Sequence, residues 1–186
     1  MSRVVTRQYR DPLDTIWIEV ARRVGFEVRR SDTCFASIDP AGLMILGTPE
    51  TLDADDCLAQ MIFHELCHSL VQGPDGLREL DWGLDNETPR DVPREHATLR
   101  VQATLADEHG LRAVLAPTTD FRAFYDALPS DPLLGDPAEV ELARAALALV
   151  DTAPWGPHLR AGLVATGQIV NAVAPFADAT ALLSRE

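Results

Sequence analysis

A chain of 186 residues with 29 acidic side chains, 16 arginines and no lysine carries a formal charge of -13, which leaves no basic surface for nucleic acid or an anionic bilayer. The missing lysine also excludes Schiff-base lysine chemistry and the lysine-dependent phosphate loop. Hydrophobic residues make up 46% and charged residues 24%, a balance that fits one soluble domain, residues 1–186, large enough to bury a core.

The opening MSRVVTRQYR has no apolar run after its charges and is not read as a signal peptide. DPLDTIWIEVARRVG, residues 11–25, reads as a helix with Asp11 as cap, Pro12 in the first turn and Gly25 as stop. FEVRR, TCFAS and LMILG then read as short strands, with turn chemistry at Asp39-Pro40-Ala41-Gly42. Residues 26–47 are therefore expected to form a small, mostly antiparallel sheet. A second helix is expected from Asp53 to Gln72, ended by Gly73-Pro74. Residues 74–90 form a polar loop, and a third helix spans roughly 92–109. Further helices are expected at 119–128, 137–151 and 157–173, with a short one near 178–184. The fold class is α+β: a small sheet, a central helix, and a largely helical C-terminal half. No segment approaches the roughly 20 apolar residues needed to cross a bilayer. Cys34, Cys57 and Cys67 are too few and too scattered for a disulfide framework, so the chain reads as cytoplasmic, with free thiols.

Chemistry concentrates in HELCHSLVQG, residues 64–73. His64 and His68 are four apart and share one helical face, where two imidazoles can hold one metal ion. Glu65 is turned about 100° around the axis and points beside that ion, where a carboxylate can act as general base toward a water. A catalytic site needs a third protein ligand and an open position. Val71 and Pro74 rule out a third ligand from the extended motif His-Glu-x-x-His-x-x-Gly-x-x-His. Glu95, 27 residues after His68 and in the first turn of the next helix, is the expected third ligand. Its rivals are His96, Glu87 and Asp85. His109 lies 14 residues beyond Glu95, about 21 Å along the axis, too far to serve the same ion. Cys67 reads as packing material, not as a ligand. Glu79 and Asp81 are candidates to orient an imidazole. For a donor that stabilises a transition state, His158 is named as a catalytic candidate, with Tyr125, Arg94 and His96 as alternatives.

With these residues the chain resembles the gluzincin metalloenzymes over about residues 26–110. That resemblance implies a single metallopeptidase-like domain, Glu65 as base, and zinc held by His64, His68 and Glu95. A narrower likeness is carried by HELCHSLVQG, RELDWG, and Glu95 followed by Gln102-Ala103, which are similar to the elongation factor P hydroxylases. It departs at Ser69, where that family places an aromatic residue, and in a shorter linker to the Glu. It implies iron and hydroxylation of a lysine-derived side chain on a partner protein. The leading expectation is thus a zinc hydrolase, a peptidase or amidase acting on a peptide or protein. The alternative is an iron-dependent oxygenase, since two His and one Glu serve both metals. A non-catalytic scaffold stabilised by its metal is the third.

Overall fold

The computed structural model describes residues 4, 6–85 and 88–184. Helix α1 (Pro12–Val24) is punctuated as its sequence demands. Asp11 accepts the Leu13 and Asp14 N–H groups, and Gly25 leaves the helix at φ 118°, a conformation that costs glycine little.

Three strands follow: β1 (Glu27–Ser31), β2 (Ala36–Ile38) and β3 (Leu43–Gly47). They pair in the order β1-β3-β2, with β1 parallel and β2 antiparallel to β3. The sheet is small, as expected, but mixed where a mostly antiparallel one was anticipated. The cause is hydrophobic. β3 carries Met44 and Leu46, both fully buried, and takes the central place, whereas β1 alternates exposed and half-buried positions and remains an edge. Asp39 accepts the Ala41 and Leu43 N–H groups and fixes the β2–β3 turn.

Helix α2 (Leu58–Gly76) begins five residues later than Asp53, because Asp56 accepts the Asp53 N–H and holds residues 53–56 in a turn of their own. Cys57 becomes its N-cap. Its helical geometry breaks at Gly73, φ 68° and ψ -170°, where the sequence placed its end. α2 is buried on most sides: Ile62, Phe63, Leu66, Cys67 and Leu70 are fully enclosed. α3 (Val92–Asp107) and α5 (Pro137–Leu147) pack on one side of it, and α1 on another. α6 (His158–Val173) lies across α1, brought close by Gly162, where a Cβ would stand 2.8 Å from Val20. The Trp17 indole N–H reaches the Thr166 hydroxyl at 3.0 Å across this contact. α4 (Thr119–Asp126) covers α3 through a smaller cluster of Leu99, Ala103, Ala116 and Tyr125.

The helix expected near 178–184 does not form. Pro175 follows the end of α6, and Asp178 accepts both the N–H and the hydroxyl of Thr180, holding that stretch in turns. Among the described residues no helix is long and apolar enough to cross a membrane.

Candidate metal centre

Two helices build the centre. α2 presents His64 and His68 one turn apart, with Glu65 beside them, and α3 packs back against α2 with Glu95 in its first turn. His64 Nε2, His68 Nε2 and a Glu95 oxygen converge so that the three ligand atoms lie within 4.8 Å of one another. The two Nε2 atoms are 3.1 Å apart, and His68 Nε2 lies 3.4 Å from Glu95 Oε2. His68, Glu65 and Glu95 are buried and His64 is half-buried, and all four line a cleft of about 390 Å³.

Hydrogen-bond bookkeeping fixes what these atoms can do. The Gln102 amide donates its N–H to the Leu115 carbonyl at 2.7 Å, so its oxygen faces His64 Nδ1 at 2.8 Å and accepts that ring's proton. The Thr98 hydroxyl spends its one hydrogen on the Arg94 carbonyl at 3.0 Å and therefore accepts from His68 Nδ1 at 3.2 Å. Both rings thus carry their proton on Nδ1, and both Nε2 lone pairs face the same point. Glu95 Oε2 is buried without a hydrogen-bond partner among the described residues and faces the same cluster. Two ring lone pairs and a carboxylate oxygen, with no donor among them once Glu95 is ionised, are a poor hydrogen-bonding site and a good cation site. With metal–nitrogen bonds of about 2.0–2.1 Å at a tetrahedral angle, ligand atoms stand roughly 3.3 Å apart; the 3.1 and 3.4 Å separations are close to that spacing, and the third pair lies within 4.8 Å.

The electrostatics reflect the burial of that donor set. Burial, and then the neighbouring His64, holds His68 well below the usual imidazole range, so it is neutral and available as a ligand. Burial raises Glu95 to about 7; His64 opposes the rise, while Glu65 and Asp91 add to it. Glu65 is likewise pushed up to about 7 by burial, against a hydrogen bond from the Trp82 indole and with a smaller push from Asp81. That indole N–H meets Glu65 Oε2 at 2.9 Å.

The remaining candidates fall elsewhere. His158 opens α6 half-exposed, and neither it nor Tyr125, Arg94 or His96 lines the cleft. His158 is therefore not brought to the His64–His68–Glu95 cluster: the buried Trp155 three residues earlier turns inward to donate to Ser69, and the His158 ring stays at the helix start. Tyr125 donates to the Arg112 carbonyl, and Arg94 to Gln72. His96, rotated away from Glu95 on the same turn, meets Glu139 at 2.6 Å and stacks on Phe124 with ring centroids 3.6 Å apart. Asp85 lines the cleft with its N–H bonded to Asp91 but is not part of the ligand cluster, and Glu87 lies outside the described residues. Cys67 faces the core, its thiol held well above the usual range by burial and by Glu65. Glu79 is exposed, and Asp81 accepts the Ile38 N–H instead of an imidazole.

Three residues that complete the site were not given these roles from sequence. Thr98 and Gln102 sit three and seven positions after Glu95, on the same face of α3, and that spacing is a legible signal. Trp82 had none, because only the loop's path brings it to Glu65. Comparisons with protein-family models, with curated proteins and with solved structures returned no match.

Proposed function

We propose that this chain is a metal-dependent hydrolase of amide or peptide bonds, with zinc as its metal, His64, His68 and Glu95 as ligands, and Glu65 as general base. The observation that carries the proposal is the convergence of two Nε2 lone pairs on the partnerless Glu95 Oε2, with a tethered carboxylate alongside. A divalent ion held there supplies Lewis acidity toward a water and a substrate carbonyl. Glu65 accepts the proton of the attacking water and returns it to the departing amine. Burial by itself raises that carboxyl above its ordinary range, the direction that makes a carboxylate a stronger base. The hydrogen bonds from His64 Nδ1 to Gln102 and from His68 Nδ1 to Thr98 keep the ligand rings in the required tautomer.

The cleft wall offers apolar contact through Phe35, Val92 and Phe121 and acidic groups at Asp85, Asp91 and Asp120, with no arginine among the described lining residues. This supports a neutral or basic peptide or protein segment as substrate. The three free cysteines support a reducing, cytoplasmic setting.

A second reading, an iron-dependent hydroxylase of a protein side chain, is favoured by two observations. The RELDWG segment on which that likeness rests folds onto Glu65 through Trp82. At Ser69, where the likeness calls for an aromatic ring, Trp155 arrives from α6's approach and donates to the Ser69 hydroxyl at 2.8 Å. Elemental analysis of protein purified without added metal separates the two readings: zinc supports the hydrolase and iron the hydroxylase. In the zinc-loaded protein, Glu65→Gln should keep the ion and lower hydrolysis of a fluorogenic peptide library about 10²–10⁴-fold. Unchanged hydrolysis would remove Glu65 as the base.

A further inference from the structure

We infer that Trp82 is a positioning residue, and that the strap Leu80–Gly83 exists to hold the Glu65 carboxylate in one orientation; its catalytic consequence rests on the hydrolase reading above.

The strap's backbone is the first observation. Asp81 and Trp82 adopt φ 47° and 62°, the two positive-φ non-glycine residues among the described ones, and Gly83 continues at φ 73°. Consecutive left-handed side-chain-bearing residues are unfavourable and persist only where their surroundings over-determine them. Two anchors do so here. Asp81 Oδ1 accepts the Ile38 N–H at 2.8 Å, tying the strap to β2, the sheet edge nearer the cleft. The Trp82 ring is 4% exposed and packs edge-on against Phe26 with centroids 5.4 Å apart. Packing alone would place an apolar ring equally well. The indole was placed so that its one donor meets Glu65 Oε2 at 2.9 Å.

The second observation is a small space beside the cleft. A cavity of about 60 Å³ is bordered by Glu65, His68, Asp81, Trp82 and Glu95. It adjoins the cleft, sharing Ala36, Glu65, His68 and Glu95 with it, and gives an untethered Glu65 carboxylate room to turn. The indole N–H limits that freedom by fixing one oxygen of a carboxylate that also lines the cleft. A general base gains its effect only within hydrogen-bond reach of the proton it takes, so restricting its orientation raises the fraction of productive encounters. The strap thereby makes β2, which lines the cleft through Ala36, and the base parts of one rigid unit.

The test has two arms. In the first, indole N–H resonances of ¹⁵N-labelled protein are assigned with Trp17→Phe, Trp82→Phe and Trp155→Phe, one for each of the chain's three tryptophans. Glu65→Ala should move the Trp82 resonance further than the other two. An unmoved Trp82 resonance would overturn the proposal whatever reaction the protein performs. In the second arm, the zinc-loaded protein is assayed on the fluorogenic peptide library. Trp82→Phe should lower kcat about tenfold to a hundredfold, the scale of a lost hydrogen bond to a charged group, with KM and zinc content unchanged. In a Glu65→Gln background the same change should cost nothing further, because Trp82 acts through that carboxylate. An equal loss in both backgrounds would mean that Trp82 only stabilises the fold, and the proposal would fall. A parent that cleaves no peptide would defeat the hydrolase reading, while the resonance would still decide whether Trp82 holds Glu65.

Discussion

Glu95→Gln should act in opposite directions on the chelated and the zinc-loaded protein. Glu95 is 9% exposed and its Oε2 has no hydrogen-bond partner among the described residues. Burial, tempered by His64 and reinforced by Glu65 and Asp91, lifts its carboxyl from an ordinary 4.5 to about 7. An acid whose folded value is raised contributes its full stability below the unfolded value and loses it as pH climbs through the folded one. In chelated protein the loss therefore develops between about pH 4.5 and pH 7. A rise of that size corresponds to about 3 kcal/mol at pH 8. Glutamine has the same shape and no charge, so chelated Glu95→Gln should be the more stable protein at pH 8. For a chain of this length, the gain is about 6–12 °C in Tm. At pH 4 the two should melt together, since the parent's Glu95 is then protonated. Zinc reverses the order. The parent gains about 4 kcal/mol at a free metal concentration a thousand times its Kd, while the variant, left with two imidazoles and a neutral amide, gains much less. Differential scanning calorimetry at pH 4 and pH 8, with chelator or with zinc, measures all four cases. A variant that melts below the chelated parent at pH 8, or that gains as much from zinc as the parent does, would refute the assignment of Glu95 as a ligand strained by its own burial.

Gln102→Leu removes the acceptor that keeps His64 in its Nδ1–H form and should weaken zinc binding about 10–100-fold in competition with a chromophoric chelator. Ser69→Ala leaves the buried Trp155 indole N–H without its acceptor and should cost about 1–3 kcal/mol in urea unfolding, with zinc affinity retained. Glu139→Ala strands the Arg100 guanidinium, which is 4% exposed and bonded to Glu139 at 2.8 and 3.0 Å, and should cost about 3–5 kcal/mol in the same unfolding measurement.

The periodic features of this protein were legible in its sequence. The helices with caps and apolar stripes, the turn at residues 39–42, the break at Gly73, and the pairing of His64 with His68 on one face all follow from local geometry, in which the next few residues decide the outcome. That Glu95 would come near the two imidazoles was legible for a related reason: the loop after α2 returns a second helix to the first, and that helix has one carboxylate in its opening turn. What the sequence left open depends on groups far apart in the chain. β3 became the middle of a mixed sheet because burial of Met44 and Leu46 against the helices outweighed hairpin order. His158 stayed at the mouth of α6 because Trp155 took the inward direction toward Ser69. The tautomers of both ligand rings depend on Gln102 and Thr98, whose own orientations are set by the Leu115 and Arg94 carbonyls. The partner of Glu65 lies 17 residues away, in a loop whose left-handed backbone no local preference would select. Spacing along one helix can show which atoms are able to meet a metal. Only packing between elements decides which hydrogens those atoms have given up and which way the base points, because each buried donor must find its acceptor across the fold.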